Sequence, residues 1–176
     1  MADSIPTLTS LDMQPYLVAG ELPPGLGGKV GIYAIFDHAQ ALQYVGYSRD
    51  VSVGLTQHLV RCPDACHWFK VHTVARPSRT LLEEIRHAWL REYGTVPPGN
   101  SDAQTRWEKP IDAKAFMTEA ERDAIATAEP ADTNKLLKQL ARRVEADVKA
   151  KVADRGAHMP IKFNPKLKEQ GLLALK

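Results

Sequence analysis

Gly31-Ile32-Tyr33-Ala34-Ile35-Phe36, then Asp37-His38-Ala39-Gln40-Ala41, then Leu42-Gln43-Tyr44-Val45-Gly46: the fold of this chain is decided by these residues. Val30 to Phe36 is an apolar run rich in β-branched and aromatic side chains, and Leu42 to Val45 is a second. The intervening segment, Asp37 to Ala41, has the length of a hairpin loop. The expectation is a pair of antiparallel strands.

Downstream the period changes. Asp50 is placed to cap a helix from Val51 to about Arg61, which Pro63 stops. Trp68 to Val74 alternates as a third strand would. Ser78 is placed to cap a helix running through Leu81, Leu82, Ile85, Ala88 and Trp89 and ending near Gly94. The order β-β-α-β-α predicts an α+β fold: a small, three-stranded, mainly antiparallel sheet flanked by helices.

On either side the sequence is less regular. Residues 1–28 read as an N-terminal leader closed by Pro23-Pro24-Gly25-Leu26-Gly27-Gly28, with Leu8, Leu11, Met13, Tyr16 and Leu17 available to dock on the core. The central domain is expected over 29–100, and 101–176 is expected to be a basic helical C-terminal extension. Gly94 to Pro110 reads as loop. Thr118-x-x-Glu121 has the form of a capping box opening a helix to about Ala128. A longer helix carries Leu136, Leu137, Leu140, Val144, Val148 and Val152 at helical spacing and ends at Gly156. That stripe reads as a packing face. Met159 to Phe163 suits a short edge strand.

Composition narrows the function classes. The 176 residues are 44% apolar and 25% charged, ordinary values for a globular protein, and a net charge of +2 argues for no particular partner. From Asn134 to Lys176, however, 11 Lys and Arg face 4 Asp and Glu, a footprint that suits phosphates or a solvated helix face equally. No apolar run approaches the roughly 18 residues that span a membrane. Met1 to Gly20 lacks the basic start and apolar stretch of a secretory signal, so a cytoplasmic location is expected. Cys62-x-x-x-Cys66-His67 lacks the second ligand pair of a zinc site and reads as two reduced thiols at a helix-to-strand turn.

The two tripeptides Gly31-Ile32-Tyr33 and Tyr44-Val45-Gly46, with tyrosines 11 apart, Ser48 and Asp50 following, and His58 standing 14 beyond the second tyrosine, resemble the GIY-YIG nuclease superfamily. The resemblance covers roughly residues 29–100. It implies that Tyr33 and Tyr44 face a scissile phosphate, with Tyr33 oriented for deprotonation or water activation and Tyr44 positioning the phosphate. His58 matches the helix histidine of part of the family, and Asn100 matches a late site asparagine in order. The family's second-helix glutamate holds a divalent metal, Mg2+ or Mn2+. Glu83 and Glu84 are both candidates; at about 100° per residue Glu84 lies at the rim of the apolar face beside Leu81 and Ala88, which makes it the better ligand. Phosphodiester hydrolysis needs an activated nucleophile, a stabilising cation and a donor to the leaving oxygen. Arg49, Arg61, Arg142 and Arg143 are the candidate nucleic-acid contacts.

One departure is plain. The family's helix arginine belongs six residues after Ser48, where this chain has Gly54. A guanidinium offers phosphate a fixed fork of donors, and glycine offers none. Together with Val96-Pro97-Pro98-Gly99-Asn100 and the tail Phe163-Asn164-Pro165-Lys166-Leu167-Lys168, this variant set resembles one branch of the superfamily. That branch comprises the nuclease-like domain ahead of monothiol glutaredoxins in plant plastids, and stand-alone cyanobacterial relatives. No Cys-Gly-Phe-Ser motif occurs.

The resemblance implies a metal-dependent DNA endonuclease. The alternative is a weakened module of the same fold serving nucleic-acid binding or protein interaction, with the extension as a surface for a protein partner. A third expectation, a redox or iron–sulfur accessory role, rests on the branch and the two cysteines alone. Convergence of Tyr33, Tyr44, His58 and Glu84 on one cleft, with a cation in position nearby, favours the enzyme. A solvent-facing Glu84 and a cleft filled by an apolar side chain favour the binding module.

Overall fold

The structure, a computed structural model, describes residues 4–176. The chain divides into two compact units, one ending at Glu108 and the other spanning Lys109–Lys176.

In the first unit the hairpin forms as β2 (Gly31–Phe36) and β3 (Leu42–Ser48), after a short upstream strand β1 (Gln14–Pro15), and β4 (Trp68–Thr73) completes the sheet. The order is β1-β4-β2-β3 and every pairing is antiparallel. The sheet therefore has four strands where the sequence predicted three. The extra one comes from the leader, and its Pro15, which has no N–H to give, sits on an edge strand as a proline must. The leader does dock: Leu8 and Tyr16 are buried, and the Pro6 carbonyl accepts from Trp89 Nε1 at 2.9 Å.

Central β2 is buried along its whole length because helices cover both faces of the sheet. Alternation sends Ile32, Ala34 and Phe36 to one face, with Val45 and Leu42 from β3. There they meet Leu82, Ile85 and Trp89 of α2 (Arg79–Tyr93), which begins at a Ser78 cap and ends at Gly94 with φ 93°. The other face carries Tyr33 and Ile35, with Tyr44 from β3 and Phe69 from β4. Against it lies α1 (Val51–Arg61), capped by Asp50, burying Gly54, Leu55, His58 and Leu59. A third helix, α3 (Gln104–Glu108), closes the unit within a segment the sequence read as loop.

The outer edge of β3 is satisfied in an unusual way. Asn100 stands beside Val45, its Oδ1 accepting from the Val45 N–H and its Nδ2 donating to the Val45 carbonyl, both at 2.8 Å. One side-chain amide supplies the pair of bonds a neighbouring strand would make.

The second unit contains β5 (Ile111–Asp112), α4 (Glu119–Thr127), α5 (Pro130–Asp154), α6 (Pro165–Lys168) and β6 (Leu172–Leu173), with β5 and β6 paired antiparallel. The Thr118–Glu121 capping box forms in both directions. On α5, Leu140, Val144 and Val152 are buried, and Leu136, Leu137 and Val148 are half-buried, so the stripe is a packing face. The expected strand at Met159 to Phe163 shrinks to a single bridge between Phe163 and Leu175; Pro160 cannot donate to a ladder. Among the described residues no helix is long and apolar enough to cross a membrane.

Candidate functional site

Tyr33, Tyr44 and His58 come together on the α1 face of the sheet. Tyr33 lies directly across from Gly46, so its ring sits diagonally to Tyr44, with centroids 6.4 Å apart. The Tyr44 ring folds along its own strand over Gly46, where a Cβ would lie 2.4 Å from Cε1 of the ring; the final glycine of the second tripeptide makes that pose possible. His58 reaches up from α1. Its Nε2 is 2.8 Å from the Tyr33 hydroxyl, and its ring centroid is 4.6 Å from that of Tyr44.

The cluster is covered. Trp107 of α3 stacks on Tyr44 at 5.2 Å and 10°, and its ring is 5.6 Å from His58. The Tyr44 hydroxyl donates to Glu108 Oε1 at 3.0 Å, and Gln104 Nε2 holds the other carboxylate oxygen at 3.0 Å. Arg61, one turn beyond His58, donates from Nη1 to the Trp107 carbonyl at 2.9 Å. Exposure falls to 2% at Tyr33, 5% at Tyr44, 4% at His58 and 2% at Trp107. An aromatic side chain of the chain itself thus covers the cluster.

Burial sets the electrostatics. It raises the Tyr33 hydroxyl well above its ordinary pKa, against the pull of the Arg61 charge. Burial raises Tyr44 as well, and neighbouring Tyr33 and Glu108 add to it. His58 is lowered to about 3, by burial first and the Arg61 charge second, while the Trp107 carbonyl pulls weakly the other way. Its Nδ1 is buried without a hydrogen bond of ordinary geometry. At neutral pH the cluster is thus two phenols and a neutral imidazole. An imidazole this weakly basic is a poor acceptor for a phenolic proton.

Gly54 explains itself here. A Cβ at that position would lie 2.8 Å from the Tyr33 hydroxyl oxygen and 2.9 Å from the Ser48 Cβ. At position 54 the helix passes close to the tyrosine, and no arginine fits there while Tyr33 bonds His58. Arg61 lies seven residues on, two helical turns along the same face. The cation beside the tyrosines comes from there.

The remaining sequence candidates stay apart from the cluster. Glu84 is exposed, on a helix that packs against the opposite face of the sheet. Glu83 accepts from the Tyr47 hydroxyl at 2.7 Å and pairs with Arg86 at 2.7 Å, which together hold its carboxyl below the usual range. Neither glutamate bonds Tyr33 or Tyr44. The carboxylate that does, Glu108, is occupied by Tyr44 and Gln104. Among the described residues no three His, Cys, Asp or Glu side chains gather as a metal group. The residues present do not fit the divalent cation implied by the resemblance.

Asn100 acts on the backbone of β3, as described. Arg49 and Arg142 are exposed. Arg143 is engaged within the second unit, bonding Glu121, Asp147 and the Phe116 carbonyl, and Glu121 is correspondingly lowered to about 2, first by its hydrogen bond with Arg143. Cys62 and Cys66 are buried thiols, and burial pushes Cys62 up to about 12. Trp107 and Glu108 were not foreseen. The available signal was a lone tryptophan in a stretch otherwise read as polar loop.

No family model matches the chain. Over 113 residues it is 30% identical to a protein of Arabidopsis thaliana named bifunctional monothiol glutaredoxin-S16, chloroplastic. The alignment takes in 62% of this chain but only 37% of that protein, so the chain spans little more than a third of the relative's length. The chain is thus homologous to part of a plastid monothiol glutaredoxin-named protein.

Proposed function

We propose that the first unit is a GIY-YIG-type module that engages a nucleic-acid phosphodiester at the Tyr33–Tyr44–His58 cluster as a binding module with little or no metal-dependent cleavage. One observation carries this reading: the tyrosine–histidine set is intact, while the glutamate that would bring a metal to it lies exposed on α2, across the sheet. A tyrosine pair, a neutral imidazole and the Arg61 guanidinium offer hydroxyl donors and a cation to a phosphate. The second unit supplies electrostatic attraction, with 14 Lys and Arg against 10 Asp and Glu.

A second reading, a divalent-metal-dependent DNA endonuclease, draws on the 2.8 Å contact between the Tyr33 hydroxyl and His58 Nε2. That contact is the one a base would use to take the phenolic proton. Plasmid nicking with Mg2+ or Mn2+ separates the two, run on wild type, Tyr33→Phe and Glu84→Ala beside oligonucleotide binding across a salt series. The binding reading expects salt-sensitive binding and no nicking above background. Nicking that Tyr33→Phe abolishes would establish the enzyme instead, and its loss in Glu84→Ala would restore that glutamate to the site.

A further inference from the structure

Resting on the binding reading above, we propose that Trp107 and Glu108 form an internal pseudoligand: the carboxylate stands in for a phosphate group and the indole for an unpaired base, and a nucleic-acid strand must displace them. The contacts that seat this pair are those a nucleotide would make. Glu108 takes the Tyr44 hydroxyl, and Trp107 lies flat on the Tyr44 ring as a stacked base would.

Ordinary core packing accounts poorly for the composition of this contact. A core built only for stability has little use for a carboxylate on a buried phenol and a part-buried guanidinium beside a buried imidazole. Each of those groups is a recognition element for an anion. The α3 segment that fills the site is slight. It has five residues, of which Trp107 alone is buried. It is also tied by the Arg61 bond to the Trp107 carbonyl, by packing of Trp107 against Gly99, and by a surface ion pair between Arg106 and Asp64, both partners of which are more than half exposed. Exposed pairs of that kind hold weakly. Glu108 is also the last residue of its unit. The segment is a short helix whose one buried side chain is seated on the site it covers.

The whole chain labelled with 5-fluorotryptophan tests this by fluorine NMR, with the Trp107 resonance assigned through Trp107→Phe. A short single-stranded oligodeoxynucleotide is titrated in, and binding is followed in parallel by fluorescence anisotropy. The expected result is that the Trp107 resonance moves towards its solvent-exposed position while that of Trp89, in the opposite core, stays still. Glu108→Gln keeps the shape and an acceptor for Tyr44 but drops the charge, and should bind the oligonucleotide about tenfold more tightly, within the range that one stacked or charged contact is worth. Binding with an unmoved Trp107 resonance and unchanged affinity in Glu108→Gln would overturn the pseudoligand and leave the binding reading standing. Absence of binding by wild type, Glu108→Gln and Trp107→Phe alike would overturn the binding reading itself, and the pseudoligand with it.

Discussion

His58 makes the structure testable through pH alone. In the folded chain its imidazole stays neutral down to about pH 3, whereas in the unfolded chain it titrates near its ordinary value of 6.5. Below that value the unfolded state binds a proton that the folded state refuses, so stability must fall as pH falls, and above it the group contributes no slope. The penalty grows by about 1.4 kcal/mol for each pH unit below the unfolded pKa, and levels off only near the folded one. At about pH 5 it amounts to roughly 2 kcal/mol, a large fraction of the stability of a domain this size. His58→Gln isolates the effect, because glutamine can still accept from the Tyr33 hydroxyl but does not titrate. Urea unfolding of wild type and variant, followed from about pH 8 to about pH 5, should give curves that converge as the pH drops, by about 2 kcal/mol over the interval. Every other titrating group is common to both proteins and cancels. Parallel curves would refute the reasoning: they would mean that His58 is protonated in the folded state, or that solvent reaches it.

Further outcomes follow from single contacts. Gly54→Ala, which in an open helix gains about 1 kcal/mol, should instead destabilise the chain by roughly 1 kcal/mol, because the new methyl overlaps the Tyr33 hydroxyl and Ser48; thermal unfolding measures it, and a rise in midpoint would contradict the close approach. Asn100→Ala leaves both Val45 backbone groups without their partner and should cost about 1–3 kcal/mol in urea unfolding. Arg61→Gln should lower oligonucleotide affinity and flatten its salt dependence by about one charge, whereas Arg143→Gln should act chiefly on stability, its guanidinium being bound to Glu121 and Phe116.

Where the sequence read well, local chemistry was sufficient. Asp50, Ser78 and Thr118 each cap the helix they were expected to cap, and Gly94 adopts the left-handed turn that ends α2. Spacing alone brought Tyr33, Tyr44 and His58 to one face, because strand alternation and helical period are both fixed by covalent geometry. Three matters lay beyond such patterns. A two-residue strand containing Pro15 is too short to leave a periodic trace. α3 carries one buried side chain, so nothing in its composition distinguishes it from loop. The position of Glu84 relative to the tyrosines lay beyond them for a deeper reason: a helical wheel shows which side of α2 is buried, but not which face of the sheet that side meets. Leu82, Ile85 and Trp89 do pack inward, yet on Ile32 and Ala34 and not on the tyrosines.

The amide bridge at Asn100 also bears on how the molecule behaves in company. An outer strand with open N–H and C=O groups is a template on which other chains assemble. At Val45 that template is already occupied, and by a side chain too short to propagate a ladder of its own. β3 can therefore carry a run as apolar as Leu42 to Val45 at the rim of the sheet without offering it for strand addition there. Spontaneous deamidation of Asn100 would set a carboxylate oxygen against the Val45 carbonyl and reopen that rim. Solubility on ageing then becomes a property of one residue, in a protein whose fold would otherwise be intact.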